Sequence, residues 1–234
     1  MNKENKIRKE LEKVLLTYEK PSIYFEKLRK DNKLKILYPE INDLIGVIQS
    51  PIHHPEGDVF NHTMMVVDEA AKLRDKAKFP LEFMYAALCH DFGKILTTTI
   101  KEDGKIISYN HERAGLKLVR KFLKETTYKD ENNLRNYILN MTELHMHPNH
   151  LANQNSKLKS TRKLFAKSVC PQDLILLAKA DALGRTVEQN YSLKEEYLIN
   201  GLNDYLNNKE INKNDKLWYT KKYLKLYLYI VNNF

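Results

Sequence analysis

The sequence predicts an all-α fold, interrupted by one short β-hairpin near residues 97–109. Glycine and proline occur only seven times each among 234 residues, and apolar residues recur at helical spacing along most of the chain. The hairpin is predicted because Asp103-Gly104 separates two short runs rich in threonine and isoleucine. A chain of this length can bury a sizeable core, so we expect one helical domain with extensions.

The predicted elements follow one another in order, joined by polar connections. The apolar pattern predicts helices over residues 3–18, 22–29, 41–47, 59–78, 81–92, 111–124, 131–145, 159–168, 172–183, 193–207 and 218–232. Asp58 is a suitable N-cap for the helix that follows it, and Gly93 can end the helix before it. Polar composition predicts loops over 150–160 and 207–215. We expect an N-terminal helical extension over 1–49, a central domain over 50–190 and a C-terminal helical extension over 191–234.

Metal-capable side chains close or interrupt several apolar helix faces. His62 and Asp181 each lie on an otherwise apolar stripe, and the dipeptide His90-Asp91 ends an apolar helix. Imidazole and carboxylate groups on core-facing stripes are costly unless something pairs them. A divalent cation bound by all four would do so, and the sequence therefore indicates a metalloenzyme.

Two further histidines, His111 and His145, lie on apolar faces in the same way. A single core histidine is more often hydrogen-bonded to a backbone carbonyl, and a single buried aspartate is more often a cap or an ion-pair partner. The repetition over several helices favours metal binding, because unpaired buried carboxylates are rare. Imidazole combined with carboxylate suits Mn, Fe, Co, Ni or Zn better than Ca, and Mg where carboxylates dominate.

In their order, these residues resemble the H…HD…D pattern of the HD-domain metal-dependent phosphohydrolase superfamily. The chain is most similar to the HD region found C-terminal in bacterial CCA-adding tRNA nucleotidyltransferases, from about Pro21 to Asn190. The motifs that carry this resemblance are His53-His54-Pro55-Glu56-Gly57-Asp58, Asn61-His62-Thr63, Ala86-Ala87-Leu88-Cys89-His90-Asp91-Phe92-Gly93-Lys94, His111-Glu112-Arg113-Ala114-Gly115, His145-Met146-His147-Pro148 and Ala180-Asp181-Ala182-Leu183-Gly184-Arg185.

Two features depart from that family's pattern. A nucleotidyltransferase head would carry a Gly-Ser element, but no glycine in the chain is followed by serine. We therefore expect an HD module that does not add nucleotides. His147 stands where relatives often have arginine, which puts a phosphate contact there in doubt.

The resemblance implies an HD-domain helical bundle that binds one or two divalent ions: Mn, Ni, Co, Fe or Mg. It implies that His62, His90, Asp91 and Asp181 hold a first ion, and that Asp91 bridges to a second ion held by His111 and His145. The implied reaction is attack of metal-bound hydroxide on the phosphorus of a phosphodiester or phosphomonoester. The implied substrates are phosphorylated small molecules or RNA ends, such as 2′,3′-cyclic phosphates and 2′-nucleotides.

Other residues near these motifs have two interpretations each. We expect Asp91 and Lys94 to act in catalysis, and Lys94 also to bind phosphoryl oxygens. Arg185 either contacts the substrate phosphate or forms a structural ion pair. Glu56 either orients a ligand or caps a helix. The hairpin is either a flap over the site or an ordinary surface hairpin.

Charge and cysteine content suggest where the protein acts and what it contacts. The formal net charge is +9, and five basic residues lie close together in sequence: Lys157, Lys159, Arg162, Lys163 and Lys167. This cluster is either a solvated face or a weak contact for RNA. No apolar run is long enough to cross a membrane, and two distant cysteines favour a cytoplasmic location.

Two alternatives to the phosphohydrolase remain open at this point. The first is a non-catalytic RNA-binding module in which the metal is only structural. The second is a di-iron oxygenase, because the HD scaffold also supports such chemistry. Fold resemblance alone does not choose among these functions.

Overall fold

The computed structural model describes residues 3–127, 131–186 and 190–208. Its helices are α1 (Lys3–Thr17), α2 (Ser22–Lys30), α3 (Leu34–Leu37), α4 (Pro39–Asn42), α5 (Val59–Leu73), α6 (Pro80–Cys89), α7 (Lys94–Thr97), α8 (His111–Ala114), α9 (Leu116–Thr126), α10 (Asn132–Leu144), α11 (Met146–Asn153), α12 (Leu158–Phe165), α13 (Pro171–Leu183) and α14 (Ser192–Asn207). A single 3-10 turn, Arg74–Lys76, follows α5. The all-α prediction is therefore confirmed.

The short hairpin is also present where the sequence predicts it. Strands β1 (Thr99–Ile100) and β2 (Ile106–Ile107) pair antiparallel, with Thr99 opposite Ile107. Gly104 has a φ of +78°, a left-handed conformation that favours glycine, and it lies in the turn between the strands. The hairpin joins α7 to α8, so it starts and ends beside the segment that holds His90 and Asp91.

Several sequence predictions differ from the structure. The helix expected over 41–47 is wrong, because α4 ends at Asn42 and Gly46 adopts a φ of +78°. The helix expected over 111–124 is broken at Gly115, and the loop expected over 150–160 is mostly helical, with α11 and α12 on either side of residues 154–157. The helix predicted over 218–232, and almost all of the loop predicted over 207–215, lie outside the described residues.

Helix α6 lies at the centre of the core. Its residues from Phe83 to Cys89 are all buried, and it packs against α1, α5, α10 and α13. This explains why its sequence is apolar nearly all round. Helix α1 also packs on α9, and α14 packs on α12, where a side chain at Gly201 would collide with Thr161. The proposed domain boundaries at residues 49 and 190 remain predictions.

A buried carboxylate fixes the point where the chain enters α6. Asp173, in the first turn of α13, accepts hydrogen bonds from the backbone N–H groups of Lys78 at 2.8 Å and Phe79 at 3.2 Å. The Tyr137 hydroxyl donates to the same carboxylate at 2.7 Å. One side chain therefore joins α13, α10 and the start of α6.

Within the described residues, no helix is both long and apolar enough to cross a membrane.

We expect Asp173→Asn to lower the free energy of unfolding by about 2–4 kcal/mol, because an amide cannot accept all three hydrogen bonds. Tyr137→Phe should cost about 1 kcal/mol, since it removes only one donor. Denaturant unfolding would measure both. The exposed Asp75→Asn serves as a control, with an expected change within about 0.5 kcal/mol. An Asp173→Asn variant as stable as the control would contradict this assignment.

Candidate metal centre

All six residues that the sequence predicts as metal ligands are buried, and none of them is more than 5% exposed as a whole residue. Helix α5 supplies His62 and α13 supplies Asp181. The turn after α6 supplies His90 and Asp91, α8 begins with His111, and His145 lies between α10 and α11. Five separate parts of the fold thus direct a polar group into the core.

Asp91 is the residue on which the four imidazoles converge. Its Oδ2 lies 3.2 Å from His90 Nε2 and 3.7 Å from His62 Nε2. Its Oδ1 lies 3.2 Å from His111 Nε2 and 3.7 Å from His145 Nε2. The two oxygens of one carboxylate therefore face two different pairs of histidines.

The second carboxylate lies on the His62 side of this arrangement. Asp181 Oδ1 is 3.2 Å from His62 Nε2. Two groups of potential ligand atoms follow from these distances: His62, His90 and Asp181 form one, and Asp91, His111 and His145 form the other. Within each group, the atoms lie within 4.8 Å of one another.

Each of the four histidines directs its Nε2 inward because its Nδ1 faces a backbone carbonyl oxygen. At distances of 2.7–3.0 Å, the carbonyls are those of Gly184 for His62, Ala87 for His90, Ser108 for His111 and Thr142 for His145. A carbonyl only accepts, so the hydrogen of each neutral ring is on Nδ1 and the lone pair is on Nε2. In the neutral form that binds a metal ion, all four rings therefore direct a lone pair to the same centre.

Two observations indicate that a cation fits these residues. His111 Nε2 and His145 Nε2 lie 3.3 Å apart, which brings two lone pairs into contact unless a positive charge joins them. His90 Nε2 is buried and makes no hydrogen bond among the described residues, not even with Asp91 Oδ2 at 3.2 Å. Unsatisfied buried polar groups are rare in native cores, and a shared divalent ion would satisfy both arrangements.

The charges around the two carboxylates keep them ionised. Burial alone would raise the pKa of Asp91, but Lys94 and His90 outweigh it and hold that pKa well below its usual range. Burial also opposes ionisation of Asp181, but its pKa is held well below its usual range by the hydrogen-bonding contact with His62 and by the charge of Arg185. Both residues are therefore carboxylates near neutral pH, as metal coordination requires.

His145 is kept neutral by its surroundings. Burial, reinforced by the neighbouring His111 and His90, lowers the pKa of His145 to about 3. Its Nε2 therefore keeps a lone pair at neutral pH. Neutral imidazole together with ionised carboxylate is the donor set that first-row divalent metals bind.

Glycines allow the helices to approach closely enough to form the centre. A Cβ added to Gly93 would lie 2.6 Å from the carbonyl carbon of His111 and 2.8 Å from the nitrogen of Gly115. Gly93 has an ordinary helical φ of −67° and is the N-cap of α7, whereas α6 already ends at Cys89, so Gly93 does not end α6 as the sequence suggested. Its role is close contact with α8. Gly184 similarly abuts the backbone of Val66 in α5.

Two cations flank the carboxylates. Lys94 Nζ lies 2.7 Å from Asp91 Oδ2 and donates to Gln49 Oε1 at 2.6 Å. Arg185 donates from Nη2 to Asp181 Oδ1 at 3.3 Å, which is the structural ion pair that the sequence left open. Its Nε is buried without a hydrogen-bond partner in the described part of the chain. The structure thus places both residues at the centre, and their roles in substrate binding remain predictions.

The loop before α5 adds a carboxylate that sequence reasoning left undecided. Glu56 Oε1 lies 3.0 Å from His62 Nδ1 and 2.9 Å from His54 Nδ1. Hydrogen bonds from both histidines outweigh the effect of burial and lower the pKa of Glu56 to about 2. Asp58 is the N-cap of α5, as predicted, and accepts from Asn61 N at 2.9 Å.

Three of the four remaining histidines, His53, His147 and His150, are exposed. The fourth, His54, packs its ring against His62 at a centroid distance of 4.6 Å. The sequence carries no local signal for this contact, because it depends on how the loop folds back.

Comparison with known proteins gives consistent matches. Residues 59–186 match the family model described as HD domain. Three relatives are each named "Multifunctional CCA protein". Identity is 34% over 174 residues for Actinobacillus pleuropneumoniae, 36% over 191 for Mannheimia succiniciproducens and 33% over 197 for Haemophilus influenzae. These alignments cover 73%, 76% and 80% of this chain, but only 41%, 43% and 45% of the relatives. The chain thus spans less than half the length of the curated relatives that it matches.

We expect Gly93→Ala to lower the free energy of unfolding by about 2–3 kcal/mol, because the added methyl group must push α8 away. The displacement should also move His111 from Asp91 and reduce the amount of Mn²⁺ bound per chain, measured by metal analysis after dialysis. Gly46→Ala is the control. This substitution places a side chain at a positive φ, which should lower the free energy of unfolding by about 1 kcal/mol, but the new methyl group meets no atom within 4 Å. The metal content of this variant should therefore be unchanged. Unaltered metal binding in Gly93→Ala would refute the close-contact argument.

Proposed function

The chain belongs to the HD domain family, and from that premise we propose that it is a metal-dependent phosphohydrolase acting on nucleotides or RNA ends, such as 2′,3′-cyclic phosphates. HD domains bind divalent metals. The observation that supports the proposal most directly is the buried convergence of four imidazole Nε2 atoms on Asp91. A purely structural core would have no reason to bury so many polar atoms facing one another.

We assign the ligands in two sets that share one carboxylate. His62, His90, Asp91 and Asp181 would hold one ion, and Asp91 would reach a second ion through its other oxygen, with His111 and His145. The two-sided geometry of Asp91 supports this assignment, because each of its oxygens faces a different pair of histidines. Mn, Ni, Co, Fe and Mg are all compatible with these donors.

A bound divalent ion would lower the pKa of a coordinated water and polarise a phosphoryl oxygen. The residues of the chain would then orient the substrate. Lys94 uses two of its three N–H groups on Asp91 and Gln49, and the third could donate to a phosphoryl oxygen. The Nε of Arg185, together with one terminal nitrogen, could hold a second oxygen in a bidentate contact. These two cations would offset the charge that develops when water attacks phosphorus.

An exposed basic surface favours an RNA end over a free phosphate. We use the name α12 surface for Lys157, Lys159, Lys163 and Lys167, all of which are exposed. Arg162 does not belong to it, because its Nη1 is bound to the Asp204 carboxylate at 3.1 Å and 3.2 Å. We propose that this surface makes weak contacts with the phosphate backbone, with an affinity that falls as salt increases.

We expect Asp91→Asn to abolish both metal binding and hydrolysis. The neutral amide removes the one group that both proposed ion positions share. Metal analysis, followed by assays with bis-p-nitrophenyl phosphate and 2′,3′-cyclic AMP under Mn²⁺, Ni²⁺, Co²⁺ and Mg²⁺, would test this. Asp103→Asn in the exposed hairpin is the matched control and should retain both properties.

The same assays distinguish the alternatives. Metal binding without turnover on any ester, together with tight RNA binding, would indicate a non-catalytic module. Colour and oxygen consumption with iron would indicate an oxygenase. Full activity in Asp91→Asn would show that the site has been placed wrongly.

We expect Lys94→Ala to lower kcat by about 100-fold, as removal of a donor to a developing charge typically does. The metal content should change by less than about two-fold, because Lys94 is not a ligand. Lys101→Ala in the hairpin removes a comparable charge outside the centre and should leave kcat unchanged. A parallel loss of metal in Lys94→Ala would instead mean that Lys94 mainly holds Asp91 in place.

A further inference from the structure

We propose that Glu56 is a positioning residue for the metal centre: it fixes the tautomer and the ring orientation that direct His62 Nε2 towards Asp91 and Asp181. This inference rests on the metal centre of the proposed function. It does not depend on which substrate the centre acts on. Neither the HD match, which begins at Val59, nor the predicted ligand set includes Glu56.

The loop before α5 is folded so that Glu56 enters the core. The backbone N–H of His54 donates to the carbonyl of Ser50 at 2.8 Å, and Asn61 Nδ2 donates to the carbonyl of Glu56 at 3.1 Å. Gly57 has a φ of +106°, which residues with a side chain rarely adopt. The Glu56 side chain is therefore turned inward, and it is only 2% exposed.

The hydrogen bonds of His62 define what Glu56 does. His62 Nδ1 lies 3.0 Å from Glu56 Oε1 and 3.0 Å from the carbonyl oxygen of Gly184. An ionised carboxylate and a carbonyl both only accept, so Nδ1 must carry the hydrogen. The carbonyl alone could select the tautomer. The carboxylate adds a charge-assisted acceptor for the same N–H group, which holds the ring more firmly.

His54, Glu56 and His62 lie close enough together to suggest an additional metal site, but the hydrogen bonding argues against one. His62 Nδ1 cannot act as a ligand while it donates to the carbonyl of Gly184. Glu56 Oε1 is also 2.9 Å from His54 Nδ1, and the His54 ring packs edge-on against His62. Glu56 therefore orders two imidazoles at once, and the cluster supports the centre from outside.

A second glutamate provides a matched comparison. Glu112 Oε2 lies 3.9 Å from Nδ1 of His111, beyond hydrogen-bond distance, while the carbonyl of Ser108 lies 2.8 Å from the same nitrogen. Glu56 and Glu112 are therefore both close to a predicted ligand histidine. Only Glu56 is within hydrogen-bond distance of the ring. Replacing either glutamate by glutamine removes the same negative charge, so Glu112→Gln controls for the charge in Glu56→Gln.

The test measures the affinity for metal and the state of the His62 ring in the whole 234-residue chain. Calorimetric titration with Mn²⁺ alone should show a 10- to 100-fold weaker affinity in Glu56→Gln, and less than about a two-fold change in Glu112→Gln. In the metal-free protein with ¹⁵N-labelled histidine, at about pH 8, the Nδ1–H proton of His62 should move upfield in Glu56→Gln only.

The outcomes separate this inference from the proposed function. If the wild type binds no Mn²⁺, both fail. If the wild type binds Mn²⁺ but Glu56→Gln has the same affinity and the same His62 resonance, only the role of Glu56 is overturned. If thermal unfolding shows that Glu56→Gln is not folded, Glu56→Asp takes its place: it keeps the charge but has a shorter reach. Wild-type affinity in Glu56→Asp would also overturn the proposal.

Discussion

The close approach of two buried carboxylates and four imidazoles sets the arrangement of the surrounding helices. Asp91 faces two histidines with each of its oxygens, and these histidines come from four different positions in the chain. Burying these groups away from water costs free energy, and pairing with an oppositely charged side chain or a bound cation offsets this cost. The apolar residues of α6 provide the core that holds this polar cluster away from water, and Lys94 supplies a positive charge beside Asp91.

Close packing where the helices meet allows the buried carboxylates and imidazoles to approach one another. Glycine at position 93 lets α8 come close enough for His111 to face Asp91, and glycine at position 184 does the same for α13 against α5. Asp173 fixes the entry to α6 from the opposite end. The site therefore depends on the glycines at these helix contacts as much as on the candidate ligands, because a methyl group in either position would separate the elements that carry them.

The helical class and the hairpin could be predicted from the sequence, because each leaves a periodic or local signal. The same signals single out the six side chains that the structure brings together, and their role as metal ligands stays a prediction. A histidine on an otherwise apolar helix stripe, such as His62, can be recognised from the sequence alone. The role of Glu56 was not decidable, since its partners depend on a loop that folds back onto α5. The short helix α11 was missed because its polar residues resemble a loop, and the break at Gly115 was missed because helical periodicity continues across it.

The four histidines are not anchored over equal distances along the chain. The rings of His90, His111 and His145 are each held by a carbonyl three residues earlier, so their aim is encoded within a single turn of backbone. The carbonyl that faces His62 belongs instead to Gly184, 122 residues away, and the partner of His62 Nδ1 that lies nearby in the chain is Glu56. Partial opening of α13 would thus remove Asp181 and one of the two acceptors of His62 Nδ1, while the other three rings kept their orientation. The centre would then lose its structure in stages. The group formed by Asp91, His111 and His145 would persist after Asp181 had moved away.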